Sequence, residues 1–134
     1  MLVEHARNLI GLGSAVHAEY GTGGTEIVSL LACSLDGERI TVSLAEESRL
    51  RRLHGSAAVV EHTTCSYGLN PEWQHIAEEQ GMAIAGVDET GEVRAIERTD
   101  HPFFVGTLYQ PQLSSTPEQP HPIFVALIEA AAAT

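Results

Sequence analysis

The chain has 134 residues and a formal charge of −11, from 18 acidic residues against seven basic ones, all of them Arg. That length fits one domain rather than two, and a 43% hydrophobic, 19% charged composition excludes a disordered chain. The acidic balance argues against nucleic acid or an anionic membrane as partner, and no stretch approaches the ~18 apolar residues of a membrane span.

Met1–Leu12 places Leu2, Ala6, Leu9 and Ile10 at helical spacing, with Gly11 and Gly13 as stops. This helix has no capping residue before it, which leads to the expectation that sequence once preceded Met1. Ser14–Thr25 reads as a loop loosened by Gly21, Gly23 and Gly24; without a following Lys-Ser/Thr those glycines do not make a phosphate loop. Glu26–Leu35 and Glu38–Leu44 flank Asp36-Gly37 and read as a hairpin. Ser56–Glu61 is a short strand. Asn70-Pro71-Glu72 is a helix start running to Gln80 before Gly81, with Asn70 as cap and Pro71 in the first position.

Met82–Val87 and Glu92–Glu97 read as a second hairpin around Glu89-Thr90-Gly91. Phe103–Tyr109 is strongly apolar and reads as a strand buried on both faces. A Pro- and Ser-rich loop then leads to a final helix opened by His121-Pro122. Strands and helices mix without strict alternation, which gives an α/β fold with antiparallel additions in a single domain, 1–134.

Two cysteines, Cys33 and Cys65, make no disulfide framework, so a cytoplasmic setting is expected. Seven His form no His-x-x-x-His pair, and only His62 and Cys65 stand at a metal-ligand spacing. Scattered surface or capping histidines are the simpler reading, and neither metal nor cofactor is expected.

Three segments together resemble a family. Val3–Leu12, VEHARNLIGL, is similar to the helix after the nucleophile in the glutaminase domain of CTP synthase, a class I glutamine amidotransferase. Glu61–Glu72, EHTTCSYGLNPE, resembles that family's Glu-Arg-His-Arg-His-Arg-Tyr-x-Val-Asn segment. Asp100–Phe124, DHPFFVGTLYQPQLSSTPEQPHPIF, resembles its Asp-His-Pro-x-Phe-Val-x-x-Gln-Phe-His-Pro-Glu signature and the Pro-His-Pro-Leu-Phe beyond it. The resemblance implies a partial class I amidotransferase (flavodoxin-like) domain, with a mixed sheet, antiparallel hairpins and flanking helices. It covers the C-terminal part of such a domain.

The departures bear on chemistry. The family's nucleophilic Cys would fall before Met1. The general-base His is replaced by Gln110 and the Glu that orients it by Gln112. A carboxamide does not titrate near neutrality and neither takes nor returns a proton. Glu19 falls on the Glu that holds the α-ammonium of glutamine, or is a solvated loop carboxylate. Thr64 replaces the Arg that clamps the α-carboxylate, and it cannot make a bidentate ion pair. Tyr67 and Asn70 match family positions that packing and capping also explain.

The Gln-Pro-Gln and Thr-Thr-Cys-Ser-Tyr-Gly variants resemble a divergent branch related to the CTP synthase C-terminal region, which includes selenoproteins. That branch makes Cys65 a candidate thiol, with His62 able to lower its pKa; the alternative is a small residue in the place of a missing His. Cys33 reads as buried and inert. These readings imply a domain unable to hydrolyse glutamine. Glutamine or a related small molecule is the expected ligand. A non-catalytic small-molecule-binding or regulatory subunit, with Glu19 and the Gln110–Gln112 loop forming its pocket, is the alternative. Apolar faces without cover imply a homo-oligomer.

Overall fold

The computed structural model describes residues 1–31 and 37–133. Two sheets form the frame. β1 (Ala15–His17), β2 (Thr25–Leu30) and β5 (Tyr67–Leu69) make a small mixed sheet in the order β1-β2-β5. β3 (Glu38–Leu44), β4 (Ala58–Thr63), β6 (Met82–Asp88), β7 (Val93–Arg98) and β8 (Val105–Thr107) make an antiparallel sheet in the order β4-β3-β6-β7-β8. Helices α1 (Leu2–Asn8), α2 (Arg49–His54) and α3 (Pro122–Ala132) flank them, with 3-10 helices at Pro71–Glu78 and Pro111–Leu113.

The larger sheet is covered on both faces. Met82, Val93 and Ile96 join Ala6 of α1, Ile27 and Leu69 of the small sheet, and Ile76 in one apolar cluster. Val42, Leu44, Ala85 and Ala95 join Leu50 of α2, Tyr109 and Ile123 of α3 in a second. Ala95 and Ile96 are adjacent in β7 yet belong to opposite clusters, as the alternation of a strand requires. Extra residue Ala85 forms a bulge opposite β7, where Ile84 pairs Ile96 and Gly86 pairs Ala95. A Cβ at Gly86 would lie 2.8 Å from Val42 Cγ1, so only glycine lets β3 and β6 approach this closely.

The Met82–Arg98 hairpin, the Asn70-capped start of the Pro71–Glu78 helix and the His121-Pro122 start of α3 stand where the residues predict them. Asn70 Oδ1 accepts from the Glu72 N–H, and His121 Nδ1 accepts from the Ile123 N–H. Four expectations are corrected. β2 and β3 belong to different sheets and do not pair with each other: β2 pairs with β1 and β5, and β3 with β4 and β6. Most of the intended turn, with Cys33, lies outside the described residues.

The Ser14–Thr25 loop contains β1, which pairs parallel with β2. Three residues are too few for a periodic signal. Phe103–Tyr109 yields only the edge strand β8, which pairs with β7 alone, and Phe104 is exposed. The Leu44–Ser56 interval, with no element expected, holds α2, capped by Ser48 and ended by Gly55 at φ +63°.

The β6–β7 turn is fixed by a buried ion cluster. Asp88 Oδ1 accepts from the Thr90 N–H, the Thr90 hydroxyl and the Glu92 N–H. Asp88 Oδ2 accepts from Arg94 Nε at 2.7 Å, and Arg94 Nη2 donates to Glu92 at 2.8 Å. Arg94 is 1% exposed, so its charge depends on these partners. Burial alone pushes the Asp88 carboxyl up, but its hydrogen bonds from Thr90, Arg94 and Glu92 outweigh that and hold it below the ordinary carboxylate range. A depressed carboxyl contributes stability that is present above its unfolded pKa of about 3.9 and is lost as pH falls through the folded value. Asp88→Asn is therefore expected to lose about 3 kcal/mol at neutral pH in urea melts and to soften the acid limb of the stability profile. Wild-type stability in this variant would contradict the account.

Candidate functional site

β4 carries the candidate residues up to a turn. Thr63, at its end, is fully buried, and its hydroxyl donates to Leu108 O at 2.7 Å. This bond and the Gln110 N–H donation to His62 O at 2.8 Å fasten the segment after β8 along β4. Gln110 is thereby set against residues 62–65. Its Oε1 accepts from the Thr64 N–H at 2.9 Å, and its Nε2 donates to Cys65 Sγ at 3.5 Å.

The structure thus brings Gln110, Thr64 and Cys65 together. Both ends of the Gln110 carboxamide are engaged, which fixes its orientation. Gln112, on the Pro111–Leu113 helix, is exposed. Among the described residues its side chain makes no hydrogen bond to Gln110. Cys65 is a half-buried free thiol. Its sulfur meets the Gln110 amide, and no hydrogen bond joins it to the His62 imidazole among the described residues.

Glu19 lies elsewhere. It is exposed in the β1–β2 loop, where its N–H donates to His17 Nδ1 at 3.2 Å. The neighbouring Glu19 carboxylate holds the Tyr20 phenol above its ordinary range. The His17 ring packs at 5.0 Å from Tyr20 and 5.3 Å from Tyr67. No hydrogen bond connects Glu19 to the Gln110 group among the described residues.

A buried polar group that the sequence reading did not assemble lies behind Gln110. Ile123 N–H donates to His121 Nδ1, so the ring proton sits on Nε2 and donates to Glu61 Oε1 at 2.8 Å. Ser114 donates to Glu61 Oε2 at 2.8 Å. Glu61 is 4% and His121 5% exposed. His54 adds an imidazole whose ring stands edge-on, 5.2 Å from that of His121. Burial, followed by the neighbouring His121 ring, lowers the His54 pKa, with Glu61 opposing. Tyr109 packs into the same core. Burial, reinforced by the Glu61 charge, raises its phenol far above the ordinary value. Short-range spacing could not find this group, because His54 and Glu61 are seven residues apart and His121 another sixty.

No protein-family model matches the chain. It is 35% identical to the CTP synthase of Methanopyrus kandleri over 98% of its length, and 33% identical to that of Phenylobacterium zucineum over 97%. The CTP synthase of Brucella anthropi is 30% identical over 96%. A solved structure of the Trypanosoma brucei CTP synthase glutaminase domain with bound acivicin superposes with a TM-score of 0.91, at 24% identity over 99% of this chain. The chain is distantly related to the bacterial and archaeal CTP synthases. Its α/β mixed-sheet fold is that of a partial class I glutamine amidotransferase domain. A GMP synthase subunit of Thermoplasma acidophilum, described as putative, shares the fold less closely, with a TM-score of 0.59 at 15% identity. The chain spans 27% of the length of the curated relatives it matches and 56% of the trypanosomal chain. Among the described residues no helix is long and apolar enough to cross a membrane.

The buried carboxylate yields a stability prediction. Glu61→Ala leaves the His121 Nε2–H and the Ser114 hydroxyl without their acceptor, at a cost of roughly 3 kcal/mol. Chemical denaturation checks this, and a loss below ~1 kcal/mol would show that Glu61 does not anchor α3.

Proposed function

We propose that the chain is a class I glutamine amidotransferase domain of CTP synthase type that does not hydrolyse glutamine. The observation that carries this reading is the state of Gln110, at the family's general-base position. Its carboxamide is held by the Thr64 N–H and the Cys65 sulfur. A Cys–His pair works because imidazole takes the thiol proton and returns it to the departing ammonia. An amide does neither, and Gln112 offers no carboxylate to stabilise an imidazolium. Thr64, at the place of the carboxylate-clamping Arg, adds no charge to hold the substrate. Sequence similarity to the CTP synthases supports the family assignment, and the two Gln replacements support the loss of hydrolysis wherever the nucleophile lies. The alternative thiol role for Cys65 is not favoured by its neighbours, since its sulfur faces a neutral amide and not an imidazole.

The test is ammonia release from glutamine by the purified chain. Release at the buffer rate, unchanged in Gln110→Ala, is expected. Turnover that scales with protein concentration would refute the reading.

The reading includes self-association, which the apolar exposure of α3 supports. Ile128 is 68% and Leu127 47% exposed, and Phe104 and Val125 are also open. Light scattering at micromolar concentration is expected to give a multiple of the 14.4 kDa chain mass. A monomer mass would contradict it.

A further inference from the structure

The geometry points to a divalent metal site for Zn2+ formed by His54, Glu61 and His121. One ligand atom from each lies within 4.8 Å of the other two. Three atoms so spaced sit no more than about 2.8 Å from a common centre, so contraction by under ~1 Å reaches the 2.0–2.2 Å of zinc–nitrogen and zinc–oxygen bonds. Two imidazoles and one carboxylate are a donor set that zinc accepts, with a fourth position left for water.

Two buried atoms mark the site as more than a hydrogen-bonded knot. His54 Nε2 is shielded from solvent and has no hydrogen-bond partner among the described residues, and neither does the Tyr109 hydroxyl. A buried polar atom without a partner costs free energy. A cation at this centre would satisfy the His54 nitrogen. The carboxylate is already oriented from outside by the Ser114 hydroxyl, as metal-binding carboxylates commonly are.

Binding follows a balanced proton exchange. His121 Nε2 gives up the Glu61 hydrogen bond and coordinates through its lone pair, with its proton moving to Nδ1. The 3.3 Å bond from Ile123 N–H to Nδ1 is then lost. Its loss leaves the Ile123 N–H without that acceptor and turns the new Nδ1–H toward it, a cost that the free energy of zinc binding must exceed. The ion would fasten α2, β4 and the start of α3 to one point directly behind Gln110. This inference is independent of the loss of glutamine hydrolysis.

The test uses the whole chain, stripped with a chelator and titrated with zinc chloride alone. One zinc per chain is expected, with a rise in Tm of about 10 °C at saturating metal. X-ray absorption is expected to show a nitrogen and oxygen shell with imidazole scattering and no sulfur. His54→Ala, confirmed as folded by circular dichroism, should weaken binding by roughly 100-fold or more. Failure to retain zinc, a sulfur ligand, or unchanged affinity in folded His54→Ala would each overturn the site. Should His54→Ala not fold, the absorption spectrum of the wild-type chain decides alone.

Discussion

The buried hydrogen bond from His121 to Glu61 fixes the loop that carries the candidate site to the larger sheet. It joins the first residue before α3 to the middle of β4, sixty positions earlier, in surroundings where neither group reaches solvent. Ser114 takes the second carboxylate oxygen. The loop from Pro111 to His121 is thus pinned at both ends to β4, although it contains no regular structure beyond one turn of 3-10 helix. Gln110 inherits its place from this arrangement. Its N–H is bound to His62, next to Glu61, and its side chain reaches back over Thr64 and Cys65.

The same contact explains why the loop after β8 keeps its place. The groups that position the loop are buried and mutually satisfied, so they are held by the cost of leaving any one unpaired. Gln110 and Gln112 lie on the outer side of that clasp and contribute little to it. The Gln110 amide offers a donor to the sulfur and an acceptor to a backbone N–H, and an amide carries no proton chemistry.

What the sequence made legible was what depends on neighbours in the chain. The Asn70-Pro71 and His121-Pro122 starts announce themselves because a cap bonds two residues on, and the β6–β7 hairpin because its turn residues sit between two apolar runs. Ser48 and Gly55 carried an equally local signal for α2, hidden by a six-residue helix that contains three Arg and buries only Leu50. Asp36-Gly37 misled for the opposite reason: a turn signal says that the chain reverses, not which sheet receives each arm. The Glu61, His121 and His54 group depends on long-range packing and had no local signature. Gln110, Gln112, Thr64, Glu19 and Cys65 were legible only through family resemblance, which gave positions. That Gln110 meets Thr64 and Cys65 while Glu19 lies with His17 and Tyr20 required the fold.

Gln110 is a fixed amide strut between the Thr64 N–H and the Cys65 sulfur. The most direct measurement is hydrogen exchange at the Thr64 N–H in the wild-type chain and in Gln110→Ala. Thr64 is exposed, so protection of its amide must come from the Gln110 Oε1 bond at 2.9 Å. The account predicts measurable protection in the wild type, falling by about tenfold or more in the variant while neighbouring β4 amides are unchanged. Equal exchange at Thr64 in the two proteins would mean that Gln110 does not hold this bond in solution, and would contradict it.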